Sequence, residues 1–167
     1  MILAALAISA AGCSDQQEPK VVHDEDHPEY IGVKDGTMMR RAVVQARKTY
    51  QQFVDALANR CEGCWGYEIK VPYPTPGGED EHIWVNNLSW DGAQFHGTIA
   101  NEPIDTTAVK FGQHVHVLPT EISDWKYVDG DQLVGGYTVR VIYALSSPDE
   151  RKMLDARNSF KVPPVDF

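Results

Sequence analysis

The sequence predicts an α+β domain: one long N-terminal helix packed on a curled, mainly antiparallel β-sheet, followed by a short C-terminal helix. Three observations predict it. A single helical apolar stripe comes first, several short alternating segments follow, and turn signals separate them. A helix followed by a run of strands that hairpin turns can join is the pattern of an α+β layer, with the sheet curling towards a small barrel.

The helix is read over residues 38–60. Met39, Val43, Ala46, Tyr50, Phe53 and Leu57 recur at spacings of four and three, while Arg40, Arg41, Arg47, Lys48 and Asp55 cover the other side. Thr37 is placed to cap its start. Tyr67–Val71 alternates and runs into Pro72, and Pro74-Thr75-Pro76-Gly77-Gly78 reads as a loop. The segments His82–Leu88 and Gln94–Ala100 lie on either side of Asp91-Gly92, a hairpin signal. His114–Leu118 alternates again. Leu133–Leu145 reads as the longest β-rich stretch, opened by Gly135-Gly136. Residues 148–158 read as the terminal helix, with Ser147 as its cap and Pro148 at its first position.

The N-terminus carries a different signal. Residues 1–12 are apolar or small and uncharged, too short a run for a bilayer span of about 20 residues, and of signal-peptide length. The run ends at Ala10-Ala11-Gly12-Cys13, which resembles a bacterial lipobox. That resemblance makes 1–12 a signal sequence and Cys13 the lipidated residue, the chain's link to a membrane. Two or more acyl chains anchor stably, since each buried methylene contributes about 0.8 kcal/mol. Ala10 stands where a lipobox usually has Leu or Val, and no basic residue precedes the apolar run. An ordinary cleaved secretion signal is the alternative. Residues 13–37, with the run His23-Asp24-Glu25-Asp26-His27, read as a polar tether, and residues 38–167 as one domain. A single domain of that size buries roughly 70% of its unfolded surface. The predicted location is the periplasmic face of the bacterial envelope, with Ser14 favouring the outer membrane.

The chain has 167 residues, a net charge of −9 and three cysteines. An acidic surface repels phosphate backbones, which argues against nucleic acid and leaves a basic protein as a fitting partner.

From the helix to about residue 143 the chain resembles the YegJ-like bacterial domain. The resemblance rests on Gln45-Ala46-Arg47 with Phe53, Glu81-His82-Ile83-Trp84-Val85, Phe95-His96-Gly97 and Asn101-Glu102-Pro103. It continues through Lys110-Phe111-Gly112, Ile122-Ser123-Asp124-Trp125 and Gly135-Gly136-Tyr137-Thr138-Val139-Arg140. The resemblance implies an α+β fold and, for some members, export as lipoproteins. It implies no reaction and no cofactor, and Cys61 and Cys64 stand outside its pattern.

Few residues suggest chemistry. Cys61-Glu62-Gly63-Cys64 follows the helix, where the negative end of the dipole disfavours a thiolate. A structural disulfide is therefore favoured over a redox dithiol or a zinc knuckle, which would need further ligands. His114 and His116 share a solvent-facing strand face and could form half of a metal site, completed by His82, His96 or Glu81. Glu81-His82 and Asp124-Trp125 read as a polar network in which Arg140 pairs with Asp124 or Glu81. Trp65, Trp84, Trp90 and Trp125 serve as core or contact residues, with Trp90 the one expected at the surface. No nucleophile elbow and no phosphate-cradling loop occurs.

No catalytic set emerges. The expectation is a non-enzymatic, protein-binding or immunity-like envelope protein, without cofactor or bound metal. Its candidate contact residues are Glu81, His82, Trp84, Trp90, Asp124, Trp125 and Arg140. The alternative is a metal-binding or thiol-redox periplasmic protein using His114/His116 or Cys61/Cys64.

Overall fold

The computed structural model describes residues 20–23, 31–34 and 36–167. Residues 1–12, read above as a signal sequence, together with Cys13 and the acidic run 24–26, lie outside the described residues. Strands β1 (Lys20–His23) and β2 (Ile31–Lys34) pair antiparallel within the predicted tether.

Helix α1 (Thr37–Asn59) follows the predicted stripe. Ala42, Ala46, Phe53, Val54 and Leu57 are buried on it. Thr37 does not cap it. It is the first helical residue, after an extended Gly36, and its hydroxyl accepts a hydrogen bond from Arg40 at 3.3 Å.

Six strands form the main sheet: β3 (Cys64–Pro74), β4 (Asp80–Trp90), β5 (Phe95–Ile99), β6 (His114–Val117), β7 (Asp124–Asp129) and β8 (Gln132–Gly135). Their order is β6-β5-β4-β3-β7-β8, every neighbouring pair is antiparallel, and the sheet is open rather than closed. The Asp91-Gly92 turn joins β4 to β5 as predicted, with Asp91 accepting from Ala93 and Gln94 amides. A bulge between Asn86 and Ser89 shifts the register of that hairpin, with Asn87 at φ 51°.

The sheet's inner face meets α1. Ile69, Val71, Ile83, Val85, Phe95 and Trp125 form its floor. Phe53 sits among Tyr67, Phe95 and Trp125, with ring centroids 5.4–6.1 Å away. The Trp125 indole N–H donates to the Ala46 carbonyl at 3.0 Å, tying β7 to the helix.

The predicted long strand over 133–145 is corrected. β8 ends at Gly135, and Tyr137–Leu145 is a helix, α2. Two left-handed glycines turn the chain, Gly135 at φ 69° and Gly136 at φ 60°. Val139, Val141 and Ile142 favour strands, but a carboxylate from β7 meets the new helix start, as described below. The terminal helix α3 (Pro148–Arg157) begins as predicted, with a full capping box between Ser147 and Glu150. Among the described residues no helix is long and apolar enough to cross a membrane.

Candidate functional site

The face of the sheet opposite α1 carries the polar and aromatic groups. Strand alternation places them there: Glu68 and Lys70 on β3, His82 and Trp84 on β4, and Lys126 on β7 lie between the inward-facing core residues. Lys70 stands directly opposite Trp84 on one side and Asp124 on the other. Two ammonium groups rest on the Trp84 ring, with Lys70 Nζ 4.5 Å and Lys126 Nζ 4.7 Å from its centroid. Lys126 also pairs with Glu68 at 2.6 Å, and Lys70 donates to Thr138 Oγ1 at 3.3 Å. Burial pulls the Lys70 pKa down to about 8; the charge of Lys126 adds to this, while Asp124 and Glu68 oppose it. Trp84 itself is half-buried.

Asp124 has no exposed surface. Its Oδ1 accepts from the Trp125 and Tyr137 amides at 2.8 and 3.0 Å, and its Oδ2 from the Thr138 amide and hydroxyl at 2.8 and 2.6 Å. The carboxylate thus meets the first amides of α2, where the helix dipole favours negative charge. Burial pushes its pKa up, against the opposing pull of Lys70 and these hydrogen bonds. Glu81, 4% exposed, plays the same part for a loop: it accepts from the amides of Ile104, Asp105 and Thr106 at 2.8–2.9 Å. Arg140 pairs with neither acid. Its Nε donates to the Gly135 carbonyl at 2.8 Å and its Nη1 meets Asp166 at 3.1 Å.

Ser123 and His82 come together, with Oγ and Nδ1 2.8 Å apart. Which of the two donates depends on the imidazole tautomer, and the hydroxyl also reaches the Lys70 carbonyl at 3.2 Å, a second place for its proton. Ser123 is also 1% exposed. His82 keeps an exposed residue surface. Crowding around its ring, then the charge of Lys70, lowers its pKa to about 4, too low for a general base near neutrality.

The other predicted positions are dispersed. His114 and His116 are exposed, as expected from their alternation with Val115 and Val117. His116 packs against His96, whose Nε2 meets Asp91 at 2.7 Å. Among the described residues the one set of three acidic, histidine or cysteine ligand atoms within 4.8 Å of one another is Cys61, Cys64 and Asp129. Cys61 and Cys64 are joined as a disulfide. Trp125 is buried at 1% exposure. Trp90 is half-buried, its ring tilted against Phe95 with centroids 4.7 Å apart, and the tryptophan at the surface is Trp65, 42% exposed. Sequence reasoning passed over Lys70, Glu68, Lys126, Ser123 and Thr138. The charge alternation of Glu68 and Lys70 between Tyr67, Ile69 and Val71 was the available signal for the first two.

Residues 36–161 match the model of a family described as uncharacterized proteins conserved in bacteria, DUF2314. The chain belongs to this family. The DUF2314 region takes in every candidate site residue from Cys61 to Arg140 and leaves Cys13 outside. The chain is 28% identical, over 94% of its length and 95% of the relative's, to the uncharacterized protein YegJ of Escherichia coli K12. It is 32% identical over 126 residues to a putative ankyrin repeat protein of Neisseria meningitidis serogroup B. That match covers 71% of this chain and 49% of the longer relative. No solved structure matches the chain.

Proposed function

We propose that this chain is a bacterial envelope lipoprotein, anchored through Cys13 at the periplasmic face of the outer membrane. In this reading its DUF2314 domain holds a protein partner on the sheet face around Trp84 and catalyses no reaction. An immunity-like arrangement, in which the partner is a toxin held in check, fits the same surface. The observation that carries the reading is Trp84: a half-buried indole in the middle of a six-stranded sheet, with two ammonium groups on its ring. Tryptophan on a preordered surface is a common energetic anchor of protein contacts. The carboxylates that could have served catalysis support the same view, because Asp124 and Glu81 are occupied by backbone amides. The net charge of −9 steers a basic partner at long range, while Lys70 and Lys126 beside Trp84 require acidic or aromatic groups of that partner at the contact itself.

Crosslinking in intact cells, with capture of the tagged chain, tests the binding. One stoichiometric partner is expected from the native chain and a loss of at least tenfold from Trp84→Ala. Unchanged recovery from that variant contradicts the reading. Fatty-acid labelling that disappears in Cys13→Ser tests the anchor, and an unlabelled native chain removes it.

A further inference from the structure

Cys61 and Cys64 bracket the turn between α1 and β3. The Cys64 amide donates to the Cys61 carbonyl at 3.1 Å, and Gly63 takes the left-handed conformation at φ 83° that closes so tight a turn. Strand pairing sets Asp129 of β7 directly opposite Cys64. The two Sγ atoms and a carboxylate oxygen of Asp129 all lie within 4.8 Å of one another. Cys61 and Asp129 are exposed and Cys64 is half-buried, so the cluster is open to solvent.

Two thiolates and a carboxylate together carry three negative charges, which a divalent cation largely neutralises. The carbonyl end of α1 points its partial negative charge at this turn. That field disfavours a free thiolate, which argues against a redox nucleophile; exchange of two thiol protons for one divalent cation leaves the charge at the turn unchanged, so the field does not oppose the metal. The basic residue next in sequence is turned away. The Arg60 guanidinium lies over the Tyr67 ring at 5.5 Å and reaches the Leu88 carbonyl at 3.4 Å.

We propose that the reduced Cys61/Cys64 pair and Asp129 form a site for a zinc-type divalent cation, closed when the disulfide forms. This inference is independent of the docking surface around Trp84. A dithiol reductant supplies two electrons and two protons to the disulfide and is itself oxidised to a disulfide. The two thiols then lose their protons to solvent as two metal–sulfur bonds form, Asp129 gives one metal–oxygen bond, and water takes the open fourth position. A tetrahedral zinc with Zn–S of about 2.3 Å and Zn–O of about 2.0 Å sets its ligand atoms roughly 3.5–3.8 Å apart, within the spacing of this cluster once the sulfurs separate. The disulfide excludes the metal, so at the oxidising periplasmic face proposed above the site opens only where a dithiol reductant reaches it.

The test is a cobalt titration of the full chain carrying Cys13→Ser, so that two thiols alone report. A phosphine reductant is used, under anaerobic conditions. The reduced chain is expected to take up one Co²⁺ with a thiolate-to-cobalt charge-transfer band that Zn²⁺ abolishes. The oxidised chain shows no band. Asp129→Asn keeps the band and binds at least tenfold more weakly. Absence of the band in the reduced chain overturns the proposal, and so does equal affinity in Asp129→Asn, whose exposed position leaves the fold intact.

Discussion

At Asp124 a carboxylate with no exposed surface receives three backbone amides and one hydroxyl. Removing it leaves those donors buried and unpaired. Asp124→Ala is therefore expected to lower unfolding free energy by about 3 kcal/mol, measured by urea denaturation, with Asp124→Asn milder because one acceptor survives. His82 makes a pH prediction. Its folded pKa of about 4 lies below the ordinary 6.5, so the unfolded chain takes up the proton first. Stability present above pH 6.5 is lost as pH falls towards 4. In His82→Asn the urea midpoint should fall less between pH 6.5 and 5 than in the native chain; parallel curves would show that His82 contributes nothing. The sequence pointed to Asp124, Glu81 and His82 as members of one buried polar network; each is hydrogen-bonded, but separately, Asp124 to the start of α2, Glu81 to the 104–106 loop and the exposed His82 to Ser123. The partners were not legible. Apart from the neighbouring Trp125 amide, Asp124 and Glu81 bind amides 13 to 25 residues away, and a backbone N–H carries no residue-type signature. Charge matching between Asp124 and Arg140 was the visible signal, and it points to the wrong contact.

At the scale of elements, local periodicity served where the element supplies its own stabilisation. The apolar stripe of α1, the Asp91-Gly92 hairpin and the Ser147 capping box were all readable because their determinants lie within a few residues. The α2 segment was not, since its residues favour strands by propensity and its start is held by Asp124 from another strand. Gly135 makes the change of direction possible. At φ 69°, a Cβ placed there would lie 2.3 Å from the Trp125 carbonyl oxygen and 2.4 Å from its ring. Gly135→Ala combines backbone strain with this clash, and a loss of about 3 kcal/mol or more in urea unfolding is expected. A loss under about 1 kcal/mol would mean that β7 and α2 can separate without cost. The open edge of the sheet was also beyond sequence reading. Alternation fixes which face a side chain takes, but closure depends on pairing between strands distant in the chain.

Across the whole molecule, one layer of helix covers one face of an open six-stranded sheet, and the opposite face carries Trp84, Lys70, Lys126 and His82. The α+β class was legible from composition and spacing alone. This face was legible only in part: His82 and Trp84 were candidates, whereas Lys70 and Lys126 become their neighbours through the β4-β3-β7 order. In the proposed function this face, and not the solvent side of α1, meets a partner. The most direct measurement is site-specific photocrosslinking in intact cells, with the crosslinker placed singly at His82 on the sheet face or at exposed Val44 on α1. One discrete adduct is expected from position 82, absent from position 44 and lost when Trp84→Ala is added. Adducts of equal yield from both positions, or from position 44 alone, would contradict that placement of the partner.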